Sequence, residues 1–271
     1  MQDAHGEIST EQKLRLVQEL FAAGVAQVEA TSFVSPKWIP KLADAEALMK
    51  ELTDKSDTIG LVPNFKGYQR AEAAGVSAVT FVVSASPRHQ QDNLRMSLER
   101  SLDELQRIGE AARNSGIEVR GAISCSFGSP YEEEIITPHQ VASIAKQLAT
   151  LGASEISLAD TVGVGTPEVV SAVLDHVRRE LPNTSLALHL HDRYGLALGN
   201  IVIALERGVT TFETALGGLG GCPFAPDAPG NLNTETFVGW MQRMGIETGV
   251  DLTALAAIRS WLLDQLEVSQ S

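Results

Sequence analysis

Five stretches of the chain, FAAGVAQVEA (21–30), EAAGVSAVTF (72–81), NSGIEVRGAI (114–123), ATLGASEISL (149–158) and LERGVTTFET (205–214), repeat one pattern: helical periodicity ends at a glycine and a β-rich segment follows. Glycine after a helix supplies the left-handed residue that closes it, and the Val, Ile and Thr beyond favour extended backbone. Each stretch reads as a helix-to-strand joint. Working outward from them, strands are expected at about 25–30, 58–63, 78–84, 118–126, 155–159, 186–191 and 210–215, with helical periodicity between. Repeated units of this kind make a parallel sheet with helices outside it. The first helix carries its own start signal: Ser9 and Gln12 have the spacing of a capping box, and Leu14, Val17 and Phe21 form an inward stripe.

Seven strands fall one short of the eight in a closed barrel. The chain enters a helix directly from its opening loop, so the expected fold is α/β, a TIM (β/α)8-type barrel with the first β-strand missing from this chain. A doubly wound open sheet satisfies the same alternation, but no G-x-G-x-x-G follows a first strand, which disfavours a dinucleotide-binding sheet. The 271 residues suit a single barrel domain, 1–271.

Composition narrows the partners. A net charge of −13 disfavours nucleic acid and anionic membrane surfaces, both of which call for positive faces. Apolar runs such as Ile59–Pro63 and Ala78–Ser84 fall far below the roughly 18 residues of a membrane span. Two cysteines, Cys125 and Cys222, suit a reducing compartment, and a cytoplasmic location is expected. The opening MQDAHGEIST has neither the basic nor the apolar region of a secretory signal.

Three segments concentrate reactive groups. In LALHLHDRYG, His189 and His191 lie two apart on an expected strand, so both imidazoles share a face where one metal ion would meet them. Two core histidines with hydrogen-bond partners would show the same spacing. The polar end of an otherwise apolar strand, where barrel active sites form, favours the metal. GGLGGCPFAPDAPGN (217–231) holds five glycines and three prolines around Cys222, a composition that excludes helix and regular strand. It is expected to be a mobile catalytic loop, 217–232, with an accessible thiol. Glu29 and Asp160 each stand near the C-terminal end of an apolar strand, as surface carboxylates or as inward catalytic groups. In DTVGVGTPE, Gly163 and Gly165 precede a helix that Thr166 caps and Pro167 starts, leaving backbone N–H groups for an anion.

With these pieces in place, EATSFVSPKWIPKLAD (29–44), SLADTVGVGTP (157–167), HLHDRYGLALGNI (189–201) and GGLGGCPFAPDAPGNL (217–232) resemble, in order, the motifs of the 3-hydroxy-3-methylglutaryl-CoA lyase family. The resemblance covers essentially the whole chain. It implies an oxo-acid lyase that cleaves this acyl-CoA to acetoacetate and acetyl-CoA in leucine degradation. It further implies His189, His191 and Asn231 as ligands of Mg²⁺ or Mn²⁺, with Cys222, Asp160 and Glu29 catalytic and Cys222 protonating the acetyl-CoA enolate. Ser32, Gln2 and Asn93 become substrate-binding residues, and a homodimer is compatible.

Departures from the family are as informative. Its first strand ends in an Arg-Asp-Gly-Leu-Gln run that supplies a further metal ligand and a catalytic arginine, whereas here Gln2 matches only the last residue of that run. The polypeptide as written is therefore expected to be unstable and inactive, through either a start assigned too late or a genuine remnant, and any targeting segment would have preceded the missing strand. Pro87 and Arg193 also differ from the family's usual residues and border the substrate region. A related metal-dependent barrel aldolase acting on another acyl-CoA or 2-oxo acid is the competing enzyme reading, which the cysteine of the glycine-rich loop disfavours.

Overall fold

In the computed structural model, which describes residues 8–220 and 230–268, the glycine of every expected joint has a positive φ, with Gly75 (+78°) and Gly116 (+72°) capping their helices directly. The element order is α1 (Thr10–Ala22), β1 (Val28–Ser32), α2 (Ala45–Glu51), β2 (Thr58–Val62), α3 (Phe65–Ala74), β3 (Ala78–Ser84), α4 (Pro87–Leu94) and α5 (Leu98–Ser115). It continues with β4 (Glu118–Ser124), α6 (Pro138–Thr150), β5 (Glu155–Asp160), α7 (Pro167–Glu180), β6 (Ser185–Leu190), α8 (Ala197–Glu206), β7 (Thr211–Glu213), α9 (Thr234–Arg243) and α10 (Leu252–Val268). Short 3-10 turns occupy Pro40–Leu42 and Leu216–Gly218.

All seven strands pair in parallel, in the order β1-β2-β3-β4-β5-β6-β7. The expected strands are all present. The first starts later than expected, at Val28 rather than residue 25, because the end of α1 folds back on itself: Gly24 N–H donates to Phe21 O and Val25 N–H to Leu20 O. The fourth ends at Ser124 rather than 126, since Cys125 adopts φ +57° and leaves the ladder. Among the described residues β1 and β7 each have one strand neighbour, so the strands form an open TIM-type ring.

The helical layer bridges that opening. Helix α10 packs on α1 and α9 through Ala23, Leu216, Val238, Leu255, Ile258 and Leu262. Gln12 donates to Gln265 at 2.7 Å, Arg15 lies 4.2 Å over the Trp261 ring, and Asp251 N–H reaches Ala23 O. The capping box on α1 forms as read, with Ser9 and Gln12 bonding each other's backbone N–H groups, and Val17 is buried beneath it. The main core lies between sheet and helices: Val79, Phe81, Val119, Ile123, Ile156, Leu158, Leu186 and Leu188 point outward into it. Burying such side chains stabilises the domain by roughly 1.5–3 kcal/mol each.

Candidate active site at the C-terminal strand ends

Strand alternation decides what faces the inside of the ring. On β6, Leu186, Leu188 and Leu190 enter the helix-facing core, so Ala187, His189 and His191 face inward. Register carries that face across the sheet: Glu213 lies beside His189, Arg120 beside Thr80 and Glu155. Branched aliphatics usually fill a barrel interior. Here the interior holds a charged network instead.

The two imidazoles meet at their Nε2 atoms, 3.3 Å apart, with ring centroids 5.3 Å apart. His189 Nδ1 is 3.1 Å from Glu213 Oε2, and Arg120 donates from Nη2 to Glu213 Oε1 at 2.8 Å. Burial opposes the Glu213 charge, but the His189 hydrogen bond and the charges of His189 and Arg120 bring its carboxyl down to about 2. An ionised Glu213 only accepts, so His189 carries its proton on Nδ1. Burial likewise disfavours the His189 cation, yet the bond and charge of Glu213 hold its pKa above the ordinary imidazole value.

Asn231 reaches this point through the backbone. It forms an antiparallel bridge with His191, and Leu232 N–H donates to Leu190 O at 2.9 Å, pinning the returning chain to the end of β6. Its Nδ2 donates to Leu219 O at 2.8 Å, while its Oδ1 is buried with no hydrogen bond of good geometry, close enough to His189 to help hold up that imidazole's pKa. A buried acceptor without a donor costs on the order of 1–3 kcal/mol. Close approach of the two loop stems requires glycine: a Cβ on Gly220 would lie 2.6 Å from Asn231 Nδ2, and one on Gly230 2.3 Å from Gly218 O.

Two ring nitrogens and an unpartnered amide oxygen in one place are donors suited to a divalent metal such as Mg²⁺ or Mn²⁺. Among the described residues no group of three or more His, Cys, Asp or Glu side chains is arranged to hold a metal, and the donors gathered at this point are two imidazoles and one amide.

The remaining expected residues separate. Glu29 faces inward on β1 at the open edge of the ring, reachable by water on one side. Burial among protein atoms and then the Glu213 charge raise its pKa, partly offset by the Thr80 hydroxyl. A bulge between Glu29 and Thr31 shifts the register by one, so Ser32, paired with Leu61, joins Glu29 on the inner face. Asn93 sits half-buried on α4, just beyond the end of β3, on the same rim. Gln2 and Cys222 lie outside the described residues.

Asp160 stands apart from the other expected residues. It shares the parity of Ile156 and Leu158 and registers with Leu190, which places it on the helix-facing side at the strand end, where its charge still couples to that of His189. Its carboxylate accepts from Val164 N–H (3.1 Å) and Gly165 N–H (2.9 Å) and is 1% exposed. The loop N–H groups expected to serve an external anion therefore bind Asp160 instead. Burial outweighs those bonds and pushes its carboxyl up to about 6. Thr166 and Pro167 do start α7 as read.

Arg120, Glu155 and Glu213 were missed. Arg120 sits in VRGAIS with no neighbouring polar motif, and only the register with β5 and β7 reveals its partners. The available signal was parity: a charged residue at an inward position of an apolar strand.

With this geometry established, comparison with known proteins decides the family. The HMGL-like family profile matches residues 1–262. The chain belongs to the HMGL-like family. Its relatives include the mitochondrial hydroxymethylglutaryl-CoA lyase of Bos taurus, 43% identical over 98% of this chain and 82% of the relative. Another is the cytoplasmic 3-hydroxy-3-methylglutaryl-CoA lyase of Danio rerio, 44% identical over 90% of this chain and 73% of the relative. Among solved structures, an HMG-CoA lyase of Acinetobacter baumannii in complex with coenzyme A and 3-methylmalate superposes with a TM-score of 0.92. It is 38% identical over 98% of this chain and 87% of its own. The open ring is thus the TIM-type barrel of HMGL-like proteins.

Proposed function

We infer that the protein is a 3-hydroxy-3-methylglutaryl-CoA lyase, cleaving the thioester to acetoacetate and acetyl-CoA. Membership of the HMGL-like family carries the reading, and the facing His189 and His191 nitrogens beside the unpartnered Asn231 oxygen support it. In the reaction the tertiary hydroxyl loses its proton, the bond between C2 and C3 breaks, and its electron pair passes to the thioester fragment, which takes up a proton.

His189, His191 and Asn231 would hold Mg²⁺ or Mn²⁺, which supplies Lewis acidity toward the substrate's oxygens when bound. Glu29, inward-facing and with its pKa raised above the ordinary carboxylate value by burial, is suited to accept the hydroxyl proton. Ser32 lies on the same face, placed to bond the substrate. Cys222 is the proposed acid that returns a proton to the thioester fragment, and its loop would also exclude water. Asp160 enters this scheme by shaping the loop at the end of β5 rather than through direct contact.

An anionic acyl-CoA approaching a chain of net charge −13 needs local cations. The rim offers them on aromatic platforms: Arg95 lies 3.9 Å over Trp38, Arg88 4.1 Å over Tyr131 and Arg193 5.8 Å from the Tyr194 ring. Arg95 and Arg193 have no acidic partner among the described residues.

The test is acetoacetate release from the hydroxymethylglutaryl thioester with and without Mg²⁺ or Mn²⁺, in this chain and in one lengthened by a first strand that ends in the family's Arg-Asp run. Metal-dependent release abolished by His189→Ala and lowered by Cys222→Ala supports the assignment, and a rate indifferent to Cys222→Ala removes the thiol from it. A homodimer and a cytoplasmic location belong to the same reading, checked by sedimentation and cell fractionation. Among the described residues no helix is long and apolar enough to cross a membrane.

A further inference from the structure

Arg120 takes no part in the scheme above, yet it is among the most heavily partnered side chains in the ring. It is 5% exposed, in an interior where guanidinium groups are costly unless fully paired. Its Nε and Nη2 lie 2.7 and 2.6 Å from Glu155 Oε1, its Nη2 lies 2.8 Å from Glu213 Oε1, and its Nη1 points at the Thr80 hydroxyl. Glu155 on β5 therefore anchors one side of the guanidinium and Glu213 on β7 takes the other.

The two oxygens of Glu213 do different things. One accepts from Arg120, and the other accepts from His189 Nδ1 at 3.1 Å. The last torsion of a glutamate is broad and softly held by itself. With Arg120 fixing Oε1, the plane of the carboxylate is set, and Oε2 is aimed at His189. A histidine that donates from Nδ1 to a fixed carboxylate has one tautomer and one ring orientation. Its other nitrogen, Nε2, then faces His191 Nε2 at 3.3 Å as the acceptor of that contact.

We propose that Arg120 is a positioning residue for His189, acting through Glu213 to fix the imidazole in its Nδ1–H tautomer with Nε2 turned toward His191 and Asn231. Arg120 touches no reacting atom. The consequence for metal binding rests on the reading of these three residues as a cation site, whereas the tautomer does not. Partners that orient a ligand in this way typically change metal affinity by 10–100-fold when removed.

Two measurements on the full chain separate the two readings. Imidazole ¹⁵N spectra of the metal-free protein, taken at a pH high enough for His189 to be neutral, should show a single Nδ1–H tautomer for His189, replaced by a mixture in Arg120→Met. Mn²⁺ binding, followed by the loss of its free-ion EPR signal, should weaken by about 10–100-fold in Arg120→Met and by less in Arg120→Lys, which keeps the charge but loses the fork. Because Arg120→Met strips two interior carboxylates of their counter-charge, Arg120→Met combined with Glu155→Gln provides a variant with one fewer bare carboxylate. An unchanged His189 tautomer in Arg120→Met and in the double variant, with only the melting temperature lowered, overturns the proposal. A wild type that takes up no Mn²⁺ removes the cation reading. The tautomer comparison then decides the positioning role alone.

Discussion

The C-terminal ends of β5 and β6 are adjacent, and both present polar groups at the end of an apolar strand, yet they do opposite things. At β5, Asp160 turns to the helix side and is consumed by its own loop, bonding Val164 and Gly165 N–H groups. At β6, His189 and His191 turn inward, and beside them the Asn231 oxygen has no partner. One end is internally satisfied and the other keeps donor atoms in reserve. A difference of one residue in strand parity separates a loop clamp from a binding site, which is why a carboxylate at a strand end says little until its face is known.

The contrast breaks most visibly at His189. His189→Ala is expected to lower lyase turnover about 10³-fold, about 4 kcal/mol of barrier, while changing folding stability by only about 1 kcal/mol. Steady-state kinetics and a urea titration on one preparation check both. A stability loss without a turnover loss would make β6 a structural end like β5.

The next effect is pH-dependent. Asp160 has a folded pKa of about 6 against its ordinary 3.8, so between those values the native state binds more protons than the unfolded state. Stability from this group is therefore full below about pH 4 and falls as pH rises through about 6, by about 3 kcal/mol for a change of about two pH units. Urea midpoints across that window should slope downward in the wild type relative to Asp160→Asn, and parallel profiles would remove the claim. Asp160→Ala should cost about 2 kcal/mol at pH 7, the loss of two loop hydrogen bonds partly offset by relief of the buried charge.

The smallest effect sharpens the other side. Gly220 has φ +97° and a Cβ there would lie 2.6 Å from Asn231 Nδ2. Gly220→Ala should cost about 1 kcal/mol in stability and weaken Mn²⁺ uptake several-fold by displacing Asn231. Unchanged uptake would detach Asn231 from the cation site.

Much of this arrangement was readable beforehand. The five glycine joints placed five of the seven strands because a left-handed residue after a helix is a local requirement, and His189 and His191 share a face because alternation is local too. What was not readable depends on register. Ser32 joins Glu29 only through a bulge in the pairing of β1 with β2, and Arg120 finds Glu155 and Glu213 only across β5 and β7. Asp160 has chemistry suited to the reacting face, while its strand parity turns it toward the helices.

By itself the sequence determined the element order, the helix starts at Ser9 and Thr166, the paired histidines and the family's motifs, all of which arise from backbone preference and spacing along the chain. Only the tertiary structure decided which carboxylates face inward, that Asn231 is drawn to His191 by a backbone bridge, and that a buried arginine joins β4, β5 and β7. Those outcomes depend on how strands align sideways. A shift of one residue in that alignment reverses every side chain on a strand, and no local propensity fixes it.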